Sequence, residues 1–396
     1  MNSYNFANRM TGLNENVIRE IFKLAQMPDL ISFAGGLPSP DSFPIDEIKE
    51  ITAKILEQQG QKILQYGVTE GYNPLREFIA SWVKRYAIET EPDNVFVVSG
   101  SSQGIDLAAK SFINPGDYVL VENPTFLSAI QTFKGYEARI IPVEMDQDGI
   151  IPEDLEIKIR EFKPKLLYTI PHYQNPTGIT LSQDRRERIM NIINKTNVVV
   201  IEDDPYVELR YYADIRCKND RLPALKSMDA NCQVIYLGSF SKIISPGLRV
   251  GYAIADKEIL RRMIICKQAN DLHTPTLSQA IVYEFATTNL IKHIKSINED
   301  YSKKRNLMLE MLDKHMKKKA KWTEPDGGLF LWLTLDSRVN TSELLKEAVE
   351  NKVAFIPGFP FYAEGGGKNT MRLNFSNASG NDIEVGIERL AQITHP

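Results

Sequence analysis

Between residues 95 and 240 the chain carries short apolar runs at intervals: 95–98, 118–121, 166–170, 198–201 and 234–237. They are rich in Val, Ile and Leu, and none strictly alternates apolar with polar. A strand with one wet face alternates and a strand covered on both faces does not, so these runs predict buried strands of a parallel sheet. Longer segments with helical spacing separate them. Strands alternating with helices predict an α/β architecture built from right-handed crossovers. Upstream, Val17, Ile18, Ile21 and Leu24 recur at helical spacing and predict a short amphipathic helix over 14–26. A loop rich in Gly and Pro follows over 33–44.

After about residue 290 the pattern changes. A long charged helix over 291–320 precedes a strand over 328–335, where Leu, Phe and Trp alternate, then a helix near 341–351 and a strand around 371–375. This predicts a smaller α+β domain. A chain of 396 residues fits two domains. The expected division is an N-terminal segment over 1–44 that joins the small domain, a large domain over 45–290 and a small C-terminal domain over 291–396.

Composition narrows the function classes. The 43% hydrophobic and 25% charged fractions are those of a globular protein and exclude a disordered chain. A net charge of −4 gives no support to nucleic-acid binding, which usually needs a basic face, so no nucleic-acid partner is expected. The longest apolar runs fall far short of a membrane span, and residues 1–10 lack a secretory pattern. Cys217, Cys232 and Cys266 are odd in number and share no ligand spacing, which predicts reduced thiols and a cytoplasmic location. His172 and His273 also lack ligand spacing, so no metal is expected. The run Lys317–Lys319 reads as a solvated helix face.

Candidate chemistry lies at the ends of the predicted strands, where ligands bind in open α/β sheets. Ser99-Gly100-Ser101-Ser102-Gln103-Gly104 leaves the first strand and opens a helix expected from Ile105. Small residues at a helix N-terminus leave N–H groups free for a phosphate, although serines there are also ordinary caps. Asn175-Pro176-Thr177-Gly178 reads equally as a turn. Glu202-Asp203-Asp204-Pro205-Tyr206 places a carboxylate where it can pair with a cationic ring nitrogen, or lies in a solvated loop or metal site. Ser239-Phe240-Ser241-Lys242 puts a lysine in a strand-end loop of small residues, with Arg249 seven residues on. Such an amine forms a Schiff base if neighbours depress its pKa. Arg372, inside the last predicted strand, needs an anionic partner, and a substrate carboxylate is a natural one.

Together these features resemble the fold-type I pyridoxal-5′-phosphate (PLP) enzymes, in particular class I aminotransferases of the aminoadipate and kynurenine branch. The resemblance spans nearly the whole chain. It rests on Ser32-Phe-Ala-Gly-Gly-Leu-Pro38, Gln65-Tyr-Gly-Val-Thr-Glu-Gly-Tyr72, Asn175-Pro-Thr-Gly178 and Ser239-Phe-Ser-Lys242, in that order. It implies a mostly parallel seven-stranded-type sheet in the large domain, and PLP held as a Schiff base on Lys242. Asp203 would pair with the ring nitrogen, while Tyr206 and Asn175 would face the ring 3′-oxygen. Phe126 would stack on the ring. Ser101, Ser102, Gln103, Ser239 and Arg249 would line the cofactor's phosphate end, with Tyr66 of the partner subunit in a homodimer.

Arg372 would clamp the substrate α-carboxylate with help from Asn175 and the backbone at Gly36. Arg19 matches a position that reaches an acidic substrate side chain, or else lies in solvent beside Glu15. Tyr173 is a further candidate for the side-chain pocket. The implied reaction is ping-pong transfer of an amino group from glutamate, 2-aminoadipate or an apolar or aromatic amino acid to a 2-oxo acid such as 2-oxoglutarate. A β-lyase, decarboxylase or racemase would share the PLP anchors. The effector domain of a transcription regulator would need a DNA-binding module, for which the residues before the pattern leave no room.

Overall fold

The computed structural model describes residues 4–12, 27, 29–211 and 222–394. The strands in chain order begin with β1 (Ile31–Ser32), β2 (Val95–Val98), β3 (Tyr118–Asn123), β4 (Arg139–Asp146) and β5 (Gly149–Ile150). Next come β6 (Leu166–Thr169), β7 (Val199–Asp203), β8 (Val234–Ser239) and β9 (Gly251–Ile254). Eight of these form one sheet in the order β2-β9-β8-β7-β6-β3-β4-β5. Strands β8, β7, β6, β3 and β4 are parallel; β9 runs against both its neighbours, and β5 is a two-residue antiparallel edge. All five apolar runs are strands of this sheet, which is mostly parallel but has eight strands, not seven.

Burial explains why the runs do not alternate. Leu120, Leu167, Val200 and Val234 pack with Leu155, Ile189 and Ile193 on one face. Val121, Tyr168, Ile201 and Ile235 pack with Leu107, Ala108 and Phe133 on the other. Successive residues thus enter different cores, and both cores are apolar. Three strands of the sheet, β4, the two-residue β5 and β9, had no clear signal in the sequence. Strand β4 carries Pro142 and an exposed Arg139, which suit its place beside the short edge strand. Strand β9 is four residues long and begins with a glycine.

The remaining strands are β10 (Ala320–Trp322), β11 (Phe330–Leu335), β12 (Val353–Ala354), β13 (Ile356–Pro357) and β14 (Thr370–Asn374), and all but β12 form a second, four-stranded sheet. The order is β10-β11-β14-β13, all antiparallel, while β12 pairs in parallel with β1. The helices Leu290–Met316 and Thr341–Glu350 match the predicted C-terminal pattern, and a further helix, Gly380–Ile393, follows the last predicted strand. Asn374 N–H donates to the Phe33 carbonyl and Arg372 to that of Ala34, so segment 33–37 is fastened to β14. No helix among the described residues is long and apolar enough to cross a membrane. The predicted helix over 14–26, and Arg19 with it, lies outside the described residues.

Candidate active site

The carboxyl ends of β2, β6, β7 and β8 open onto one cavity of about 310 Å³. Its lining includes Gly36, Ser101, Ser102, Phe126, Asn175, Asp203, Tyr206, Ser239, Lys242, Arg249 and Arg372. Residues scattered over more than three hundred positions of sequence therefore meet at one point. The helix Ser101–Phe112 starts four residues earlier than its apolar pattern predicts, so Ser101 and Ser102 sit in its first turn. Gly100 precedes it at φ +85°, and no side chain caps the helix. Its N–H groups and the positive end of its dipole face the cavity side by side with Arg249.

Three cations face this space. Lys242 Nζ donates to the Gly36 carbonyl at 2.9 Å. Burial, then the charges of Arg372 and Arg249, lower its pKa to about 8. Arg372 donates to Asn175 Oδ1 at 2.8 Å and to the Ala34 carbonyl at 2.9 Å. Its guanidinium lies 4.1 Å from the centre of the Phe330 ring, and its Nε has no partner. Its hydrogen-bond partners are an amide and a carbonyl oxygen, no carboxylate among the described residues pairs with it, and burial lowers its pKa to about 10. A buried cation without a counter-ion is costly, and an incoming anion relieves that cost. Arg249 donates to the Ser99 carbonyl at 3.0 Å.

One of the three neighbouring acids reaches the cavity. Side chains alternate along β7, so Asp203 shares a face with Ile201 while Glu202 and Asp204 point away. Glu202 accepts the N–H groups of Leu225 and Lys226. Asp204 pairs with His172 Nδ1 at 3.0 Å, which makes His172 a loop anchor. Asp203 accepts a hydrogen bond from the Tyr168 hydroxyl at 2.8 Å through Oδ2, and its Oδ1 is buried without a partner. Burial raises its pKa to about 7, against the pull of the Tyr168 and Ser101 hydroxyls. Tyr206 is buried beside Asn175 and stands edge-on to Phe330 at 5.8 Å.

Some candidates lie elsewhere. Gln103 turns behind the cavity, accepting from Ser99 N and Lys267 Nζ and donating to Asp271. Tyr66 is 79% exposed, edge-on to His273. His273 Nε2 accepts the Gly67 N–H at 3.1 Å, and Nδ1 lies 2.9 Å from the Thr274 carbonyl, so both ring nitrogens are engaged within the fold. Tyr173 does not line the cavity. It packs on Gly327 and Gly328, where an added Cβ would lie 2.4 and 2.6 Å from it. Among the described residues no cluster of His, Cys, Asp or Glu could hold a metal ion.

Residues 28–390 match the family model "Aminotransferase class I and II". The chain belongs to this family. An aromatic-amino-acid aminotransferase of Thermococcus litoralis is 41% identical, covering 98% of this chain and 93% of that one. A 2-aminoadipate transaminase of Thermus thermophilus is 39% identical over 96% and 94%. A solved kynurenine aminotransferase of Pyrococcus horikoshii superposes with a TM-score of 0.92 at 40% identity, covering 98% and 96%.

This aminotransferase is a PLP-dependent transaminase, and its cavity fits the cofactor on its own chemistry. The unpartnered Asp203 Oδ1 suits a protonated ring nitrogen, and the uncapped helix with Arg249 suits a phosphate. The amine of Lys242 is held short of full protonation near neutral pH, as attachment to an aldehyde requires. Sequence reasoning missed the apolar lining, Leu37, Leu127 and Phe330, and the hydroxyl of Tyr168 behind Asp203. Phe330 had a signal, as one of the alternating large residues of β11. Tyr168 had none, being one more large residue in a buried strand.

Proposed function

We propose that this aminotransferase moves the amino group of an L-amino acid, glutamate, 2-aminoadipate or an apolar or aromatic one, to a 2-oxo acid such as 2-oxoglutarate. One observation carries this reading: Lys242 and Arg372 face the same cavity, neither paired with a carboxylate among the described residues, so an amine-handling group and a carboxylate clamp share one site. The names of the similar proteins, aromatic-amino-acid aminotransferase and 2-aminoadipate transaminase, support both substrate types. Leu37, Leu127 and Phe330 supply an apolar wall. Among the described lining residues the cations are Lys242, Arg249 and Arg372, so an acidic side chain is expected to depend on Arg19.

When bound, PLP supplies the carbonyl that takes up the amino group and a ring that accepts the electron pair left by the departing α-proton. Lys242 carries the cofactor and then moves the proton at the substrate α-carbon, its amine neutral above about pH 8. Arg372 binds the α-carboxylate and Asn175 and Gly36 orient it, which holds the α-carbon toward Lys242. Asp203 would accept from the ring nitrogen and keep it protonated. Tyr206 and Asn175 would serve the 3′-oxygen, and Phe126 would cover the ring. Ser101, Ser102, Ser239 and Arg249 would hold the phosphate, with Tyr66 of the partner subunit completing the site; Gln103 braces the turn behind it.

The chain then works as an N-terminal segment (1–44), a large cofactor domain (45–290) and a small domain (291–396) that closes on substrate. The fastening of segment 33–37 to β14 supports the first joining the last. A cytoplasmic location fits the exposed free thiol of Cys232 and the half-buried one of Cys266.

Visible absorption of the purified protein tests the proposal. Glutamate or 2-aminoadipate is expected to bleach the yellow band of the bound cofactor, and 2-oxoglutarate to restore it. Lys242→Ala is expected to abolish turnover. Ammonia release with no oxo-acid acceptor would instead mark an elimination enzyme.

A further inference from the structure

We propose that Tyr168 is a positioning residue for the cofactor: its hydroxyl holds the Asp203 carboxylate charged and turned so that one oxygen stays free for the ring nitrogen. This rests on the reading that Asp203 faces that nitrogen. Tyr168 and Asp203 lie on adjacent parallel strands, β6 and β7, with Tyr168 opposite Ile201 in the register. Their side chains therefore share a face, two positions apart along the strand. The Tyr168 hydroxyl donates to Asp203 Oδ2 at 2.8 Å, while Oδ1 has no partner. Both residues are at most 1% exposed.

A hydroxyl in a dry strand is unfavourable unless it finds an acceptor, and phenylalanine would fill the same space. The ring packs edge-on against Phe133 at 5.9 Å, a contact that needs no oxygen. The oxygen is explained by Asp203. Two other groups near it are otherwise engaged. Glu122, on β3, accepts from the Thr169 hydroxyl, Ile170 N–H and Gln174 Nε2. Tyr206 stands beside Asn175. Ser101, at the start of its helix, is the second hydroxyl close to Asp203.

Burial opposes the charged form of Asp203, and a neutral carboxyl loses its attraction for a protonated ring nitrogen. Tyr168 counters that by donating to the anion, and by taking up Oδ2 it orients Oδ1. The consequence is a penalty that depends on the ring nitrogen itself.

The test compares PLP with its deaza analogue, in which carbon replaces the ring nitrogen, both titrated into the cofactor-free protein. The wild-type chain is expected to bind PLP at least about 10-fold more tightly than the analogue, because a charge-assisted bond is worth that much. Tyr168→Phe is expected to weaken PLP binding by about 10-fold and the analogue by less than about 2-fold. Equal weakening of both ligands would assign Tyr168 a packing role only and overturn the proposal, as would no weakening of PLP. Equal binding of both ligands by the wild-type chain would instead overturn the pairing of Asp203 with the ring nitrogen, and the proposal with it. Should Tyr168→Phe not fold, 3-fluorotyrosine placed at position 168 gives a second readout. Its fluorine resonance is expected to move differently on binding PLP and the analogue, and an identical shift with both would overturn the proposal.

Discussion

The Arg372 charge acts on Lys242 across the cavity. Burial is the larger cause of the low pKa of Lys242, and the Arg372 charge adds to it. A base whose pKa is lowered to about 8 is neutral above that pH, so carbonyl attachment in the cofactor-free protein should rise with pH and reach half its limit near pH 8. Replacing Arg372 by Leu removes a like charge, and the midpoint should move upward. Stopped-flow absorbance across pH measures both, and a midpoint that stays or falls would deny Arg372 that influence. The same arginine shows why a residue's role was legible in advance. An arginine in a buried strand demands an anion, and the described residues supply none. Tyr168 shows the opposite case, since nothing in its strand signals which acceptor its hydroxyl reaches.

At the scale of elements, the junction between β2 and the helix Ser101–Phe112 depends on backbone that only glycine adopts easily. Gly100 has φ +85°, and a Cβ there would lie 2.3 Å from Arg249 Nη2. Arg249 is itself left-handed at φ +53° and is tied to the Ser99 carbonyl. Gly100→Ala should therefore both strain the turn and push Arg249 from the phosphate end. The expected cost is about 1–2 kcal/mol in unfolding free energy by urea titration, with PLP affinity lowered about 10-fold. Full PLP affinity in a destabilised variant would show that the turn matters to the fold alone. The five apolar runs were readable as strands because burial on both faces leaves a continuous apolar stretch. The start of the helix was not, because its first turn is made of serines that face a ligand site and not a core.

For the whole molecule, an apolar strip remains uncovered. Leu64, Tyr66 and Val68 are 70%, 79% and 63% exposed, and Leu272 is exposed beside His273, which holds Gly67. Three large side chains within five residues of a loop are an unusual thing to leave in water, and they suit a self-complementary contact. The protein is expected to sediment as a homodimer. Val68→Asp should shift it toward monomer, with weaker PLP binding if Tyr66 of the partner subunit completes the site. A monomer of undiminished affinity, seen by ultracentrifugation and cofactor titration together, would argue against that sharing.

The sequence by itself determined the class of fold and most of the polar groups around the cavity. Buried parallel strands and strand-end loops of small and charged residues are local patterns, and the physics behind them acts over a few positions. It also determined that Lys242 and Arg372 were anomalous where they stood. Only the tertiary structure decided which anomalies meet. It selected Asp203 over Glu202 and Asp204 through the facing of one strand, and turned Gln103 behind the cavity. It buried Tyr173 against two glycines and gave Tyr168 its acceptor. Each of these outcomes depends on which strand lies beside which, and in what register, and that is set by the packing of the whole chain.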